Sequence, residues 1–212
     1  MCKTFTTRLF VTLVLLGTAA STLLGQTQPK VLANPAAPPA TSFHDSRLGI
    51  SFQIPAGWNL NRKDGEVSTF SLDARTAPQS SQMRALASIA FNPFPETTFS
   101  GAFFYFSQTP HTLPADCDRE ATLHSPQAIQ PSTIDGVSFT HGYDEHGRIC
   151  AEARDDIYTT QHNGACYRFD LIINTFCGGD AGGGARDISS QQLDSLHRRL
   201  QAILATVHFD KK

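Results

Sequence analysis

Two long extended runs meet at one turn and decide how this chain is read. The first is Ile149-Cys150-Ala151-Glu152-Ala153-Arg154-Asp155-Asp156-Ile157-Tyr158-Thr159-Thr160. The second is Cys166-Tyr167-Arg168-Phe169-Asp170-Leu171-Ile172-Ile173-Asn174-Thr175-Phe176. Between them lies His162-Asn163-Gly164-Ala165. Asn-Gly between alternating runs is the strongest short hairpin signal, because both residues tolerate the positive φ of a two-residue turn. With that turn, His162 faces Ala165, and twelve further steps along each strand bring Cys150 opposite Cys177. Directly opposed cross-strand residues lie ~4.5–5.5 Å apart, within reach of a disulfide. Cys117 is then left for Cys166. A bulge or a longer turn gives the alternative, Cys150–Cys166 with Cys117–Cys177.

Outward from the hairpin, the same alternation marks other strands. Leu48 to Ile54 is half-buried, ended by Pro55-Ala56-Gly57, with Trp58 opening the next extended piece. Val67 to Leu72 and Val137 to Tyr143 read as strands, and Ala102 to Phe106 as an aromatic one. Ala85 to Phe91 suits a strand or a buried helix, stopped by Pro93 and Pro95. Residues 108–132 contain four prolines and read as irregular chain with a helical turn near Asp116 to Thr122. After the glycine-rich stretch 178–184, read as a flexible connection or mobile flap, Ser189-x-x-Gln192 forms a capping box. Leu193, Leu196, Leu200, Ile203, Leu204 and Val207 follow as one helical stripe. Ala205 to Phe209 leaves the helix as a short extended end. The fold class is α+β: an antiparallel sheet with packed helices, disulfide-bonded, rather than alternating βαβ units.

The N-terminus has the order of a secretory signal: Lys3 and Arg8, an apolar run from Leu9 to Leu16, then small residues. Cleavage after Ala20, Gly25 or Ala33 is compatible, and Gly25 is preferred. The chain then divides into a signal peptide 1–25, a Pro/Ala-rich tether 26–42 and one globular domain 43–212. Removal of the signal takes Cys2 with it. Four of five cysteines remain, and export into an oxidising space favours disulfides over zinc, for which no CxxC or HxxxH spacing exists. Removal also leaves 15 Lys+Arg against 19 Asp+Glu, a charge of −4. A mildly acidic chain with 17% charged residues gives no reason to expect nucleic acid as partner. No membrane span is expected once the signal is gone. The location implied is periplasmic or secreted.

Several clusters invite chemistry. His141, Asp144 and His146 fall within six residues and offer metal-ligand types, although Asp144-Glu145-His146-Gly147 also has turn composition. Asp155 and Asp156 are strand neighbours, so they face opposite ways and do not share one ion without a bulge. One of them is expected to pair with an arginine such as Arg154 or Arg168. Asp170 lies between Phe169 and Leu171 and faces Ile157 in the hairpin register; a buried carboxylate there needs an arginine partner or a proton. Phe91, Phe94, Phe99, Phe103, Phe104, Tyr105 and Phe106 form an aromatic band that suits core, groove or interface. The glycine-rich stretch lacks the Gly-Lys-Ser/Thr of a phosphate loop, and no serine sits in a GxSxG setting.

Leu48-Gly49-Ile50-Ser51-Phe52-Gln53-Ile54-Pro55-Ala56-Gly57-Trp58 resembles the opening of PsbP-like domains, where a strand runs into a Pro-x-Gly-Trp turn. The helix followed by Ala205-Thr206-Val207-His208-Phe209 is similar to their ending. The resemblance implies an α/β/α sandwich around an antiparallel sheet and a non-enzymatic accessory or binding role. The stretch from Cys150 to Asp187 is similar to that of bacterial exported proteins. The expected function is therefore that of a binding or accessory protein of the bacterial cell envelope, with an unspecified protein or small molecule as partner and no cofactor. One alternative is an envelope hydrolase or metal-dependent enzyme using His141, Asp144 and His146. Another is a carrier of a small apolar ligand.

Overall fold

The structure, a computed structural model, describes residues 35–66, 76–125, 131–148, 150–178 and 183–210. In chain order these contain β1 (Thr41–Asp45), β2 (Ile50–Ile54), β3 (Trp58–Glu66), β4 (Gln82–Ile89), β5 (Phe99–Pro110), α1 (Pro114–Thr122), β6 (Ser132–Ile134), β7 (Val137–Arg148), β8 (Ala151–His162), β9 (Ala165–Phe176), α2 (Ser190–Leu204) and β10 (His208–Phe209). All lie within one unit, residues 36–212. The signal segment and residues 26–34 of the tether lie outside the described residues, as do Val67 to Leu72 and residues 179–182 of the glycine-rich stretch.

The hairpin is the centre of the sheet. β8 and β9 pair antiparallel from His162↔Ala165 to Ala151↔Phe176. Asn163 and Gly164 take φ of 51° and 79°, as a two-residue turn of this hand requires. One ladder step beyond Ala151↔Phe176, Cys150 is bonded to Cys177, with Cα atoms 4.5 Å apart. Cys117 is bonded to Cys166. The full sheet is β3-β4-β5-β9-β8-β7-β6, and a second sheet has the order β1-β2-β10. The pairings between these described strands are antiparallel.

β9 shows how the two faces divide. Tyr167, Phe169, Leu171 and Ile173 point one way, into a core shared with Phe104 and Phe106 of β5, the small sheet and α2. Phe169 stacks on Phe106 at 5.0 Å between centroids, and Phe43 on Phe52 at 4.7 Å. Each such ring removed from water contributes about 1.5–3 kcal/mol. α2 buries Leu196, Leu200, Ile203 and Leu204 there, and its capping box is formed. Arg62 of β3 donates to the His44 carbonyl and lies over the Phe43 ring, joining the two sheets. The opposite face of β9 carries Cys166, Arg168, Asp170 and Ile172 and is covered in part by α1. Helices thus flank the sheet on both sides, the expected α+β architecture.

Three readings change. Asp144 to Gly147 is not a turn: β7 continues to Arg148, because backbone pairing with β8 runs on to Arg148↔Ala151. The helical turn near Asp116 is a helix of nine residues, opened by Pro114 at a position where no amide hydrogen is needed. β1 begins at Thr41, inside the stretch assigned to the tether, since Phe43 and Asp45 alternate inward opposite β2.

Candidate functional site: a cleft beside the first helix

Arg168 is fully buried on the α1 side of β9. Its Nε donates to Asp170 Oδ1 and Oδ2 at 2.8 and 3.1 Å. Nη1 donates to the Glu120 carbonyl at 3.2 Å, and Nη2 to Thr76 Oγ1 at 2.6 Å. Nη2 also lies 3.9 Å from Asp155 of β8. Alternation selects this set: Arg168, Asp170 and Asp155 fall on one face of the hairpin by register alone. Burial first, and then the Asp170 charge, push the Asp155 carboxyl well above the usual carboxylate range. Asp155 Oδ1 is buried without a hydrogen-bond partner. A proton on Asp155 removes the one uncompensated negative charge from a dry site that holds two carboxyls and one guanidinium.

Above this network an open cleft of about 590 Å³ runs between residues 76–80 on one side and Thr109–Thr112 with α1 on the other. That volume is in the ~300–1,000 Å³ range of small-molecule sites. Thr76 belongs to one wall and Glu120 to the other, so one guanidinium bonds to both. The Cys117–Cys166 bond ties α1 to β9 a turn before Glu120. Gly142 of β7 lies so close beneath α1 that a side chain there would collide with the Ala121 carbonyl. The helix is therefore held at three points, two on β9 and one on β7.

Glu120 is 6% exposed yet lines the cleft. Burial, opposed by Arg168, raises its carboxyl from the ordinary 4.5 to about 7. Thr109 Oγ1 donates to it at 3.4 Å. On the rim, Arg119 pairs with Asp116 at 2.7 Å, and Leu123 is exposed. Such a cleft offers hydroxyls, a carboxyl that changes charge near neutrality and apolar edges. These suit reversible binding of a polar, partly apolar group.

The residues singled out from sequence are distributed as follows. His141 lies on the α2 side, stacked on Tyr158 at 4.1 Å, with Nε2 3.0 Å from Asp156 Oδ1. Asp156 Oδ2 lies 3.2 Å from His197 Nε2 of α2. Asp144 and His146 are on the opposite face, 3.1 Å apart. Strand alternation thus separates His141 from the other two, and the three do not form one centre. Among the described residues no group of three or more His, Cys, Asp or Glu is arranged to hold a metal. Asp170 has the arginine its surroundings demand, Arg168. Arg154 instead joins Glu152 and Glu145 at 2.8 and 3.3 Å. The aromatic band is divided: Phe99, Phe104 and Phe106 are core, Phe103 and Tyr105 face the α1 side, and Phe91 is exposed. Glu120, Thr76 and His197 were not legible as site residues. Thr76 is 92 positions from Arg168, with no local pattern to mark it. Glu120 had one faint signal, its place three residues after Cys117 on a short helix.

No protein-family model matches the sequence, and no curated protein matches it. Among solved structures, the fold is similar to cyanobacterial PsbP (CyanoP) from Synechocystis sp. PCC 6803. That likeness has 13% identity and a TM-score of 0.46 over 87% of this chain and 99% of the other. LpqN of Mycobacterium tuberculosis, described as involved in cell envelope biogenesis, is similar at 13% identity and a TM-score of 0.43. The match covers 81% of this chain and 91% of that one. A protein from Bacteroides thetaiotaomicron matches at 11% identity and 0.42, over 81% of this chain and 48% of its own. These likenesses concern the fold alone.

Proposed function

We propose that this is an exported, non-enzymatic binding or accessory protein of the bacterial cell envelope, and that the cleft beside α1 is its binding site. The observation that carries this reading is the position of Arg168. Its guanidinium bonds to Thr76 in one wall and to Glu120 in the other, so the cleft is held open in one geometry before a ligand arrives. A preorganised site loses less conformational freedom on binding and binds more tightly for the same contacts. Export is supported by the charged, apolar and small-residue order of residues 1–25 and by two disulfides, which persist in oxidising compartments.

The test is photocrosslinking in intact cells. A photoreactive residue replaces Leu123 or Gln79 in the cleft, or Arg198 on the exposed side of α2 as control. The expected result is a discrete adduct from both cleft positions and none from Arg198. Equal labelling at all three, or labelling at Arg198 alone, removes the cleft as the binding site.

A further inference from the structure

The two disulfides differ in exposure and in surroundings. Cys117 and Cys166 are both fully buried, between α1 and the sheet. Cys150 is exposed, and Cys177 is half-buried and lines an open cleft of about 390 Å³ together with Glu152, Arg154, Thr175 and Gly178. Cys150 occupies the turn between Arg148 and Ala151, where β7 meets β8, with φ of 61°. That left-handed conformation is unfavourable for a residue with a side chain. Cys177 is the first residue past β9. The chain on both sides of the glycine-rich stretch is anchored independently of the bond. Phe176 N–H donates to the Thr98 carbonyl, Thr98 N–H to the Arg186 carbonyl and Ile188 N–H to Thr98 Oγ1. Opening the bond therefore leaves the fold's own hydrogen bonds in place.

Thiol–disulfide exchange needs a thiolate to approach one sulfur in line with the S–S bond, so access controls its rate. We propose that Cys150–Cys177 is a thiol–disulfide exchange site opened by an external dithiol in the folded protein, while Cys117–Cys166 is a permanent structural bond. In the first step the thiolate of the dithiol attacks Cys177 Sγ from the cleft. The S–S bond breaks, and Cys150 leaves as thiolate and takes a proton from water. The second thiol of the reagent then attacks the mixed disulfide, closing the reagent's own disulfide and releasing Cys177. The protein gains two electrons and two protons, and the dithiol loses them.

The experiment reduces the folded protein with dithiothreitol, quenches at intervals with iodoacetamide and maps the labelled peptides. Fluorescence of Trp58, the single tryptophan, reports the fold in the same samples. The expected result is labelling of Cys150 and Cys177 together, at least tenfold faster than Cys117 and Cys166, with native fluorescence throughout. Comparable rates for the two pairs overturn the proposal, as does faster labelling of Cys117 and Cys166. Labelling that proceeds only as the fluorescence is lost overturns it too.

Discussion

Arg168 shows how much a single side chain decides once its neighbours are known. From the hairpin register alone, Asp170 needed an arginine or a proton; the structure supplies the arginine two residues away on the same face. The other partners, Thr76 and the Glu120 carbonyl, come from remote segments and left no trace in the local sequence. Glu120 itself leads to a pH prediction. Folded, it keeps its proton up to about pH 7; its ordinary value is 4.5. Between those values the folded chain holds a proton that the unfolded chain has lost, so this residue's contribution falls as pH rises through the window and is fully present below it. Glu120→Gln cannot ionise and removes that fall. The Tm of the variant relative to wild type is expected to be unchanged near pH 4 and higher near pH 8, by thermal melts across the range. A difference that does not vary with pH contradicts the assignment.

Elements were legible where a periodic pattern ended in a chemical stop. The α2 stripe with its Ser189 and Gln192 box, and the Asn-Gly hairpin, have such stops, and both are present in the structure with ends shifted by one to three residues. By composition β7 ends early, because Asp144, Glu145, His146 and Gly147 are turn-forming types. Pairing with β8 outweighs that preference, since Asp144 and His146 are buried against each other instead of facing water. The local sequence of α1 supports only one turn because the helix is stabilised by packing: Cys117, Glu120 and Ala121 lie against the sheet. Its seat depends on Gly142. Gly142→Ala drives a methyl group into the Ala121 carbonyl, and overpacking against backbone costs about 1–3 kcal/mol. Urea unfolding is expected to show a loss near the upper end of that range. A midpoint indistinguishable from wild type means that α1 is free to move away.

At the scale of the whole molecule, the sheet separates two different interiors. One face is closed by aromatic and aliphatic packing under α2 and the small sheet, and the other by a charged network under α1. The envelope reading predicts the form in which the protein occurs. Material recovered from the envelope of expressing cells should begin at Gln26 by N-terminal sequencing, and thiol titration after unfolding without reductant should find no free cysteine. A retained Met1, or a free thiol among the four, contradicts export or oxidation respectively. The antiparallel α+β class, the central hairpin with its register and the capped C-terminal helix are legible in the sequence, because each follows from contacts within a short stretch or directly across one turn; of the two pairings open to Cys150, the hairpin register favours the one observed. The tertiary structure alone decided that His141 parts from Asp144 and His146, that Asp156 meets His197, and that Arg168 bonds to both walls of a cleft. Those contacts join segments far apart in the chain, where no local periodicity or turn chemistry determines which side chains will meet.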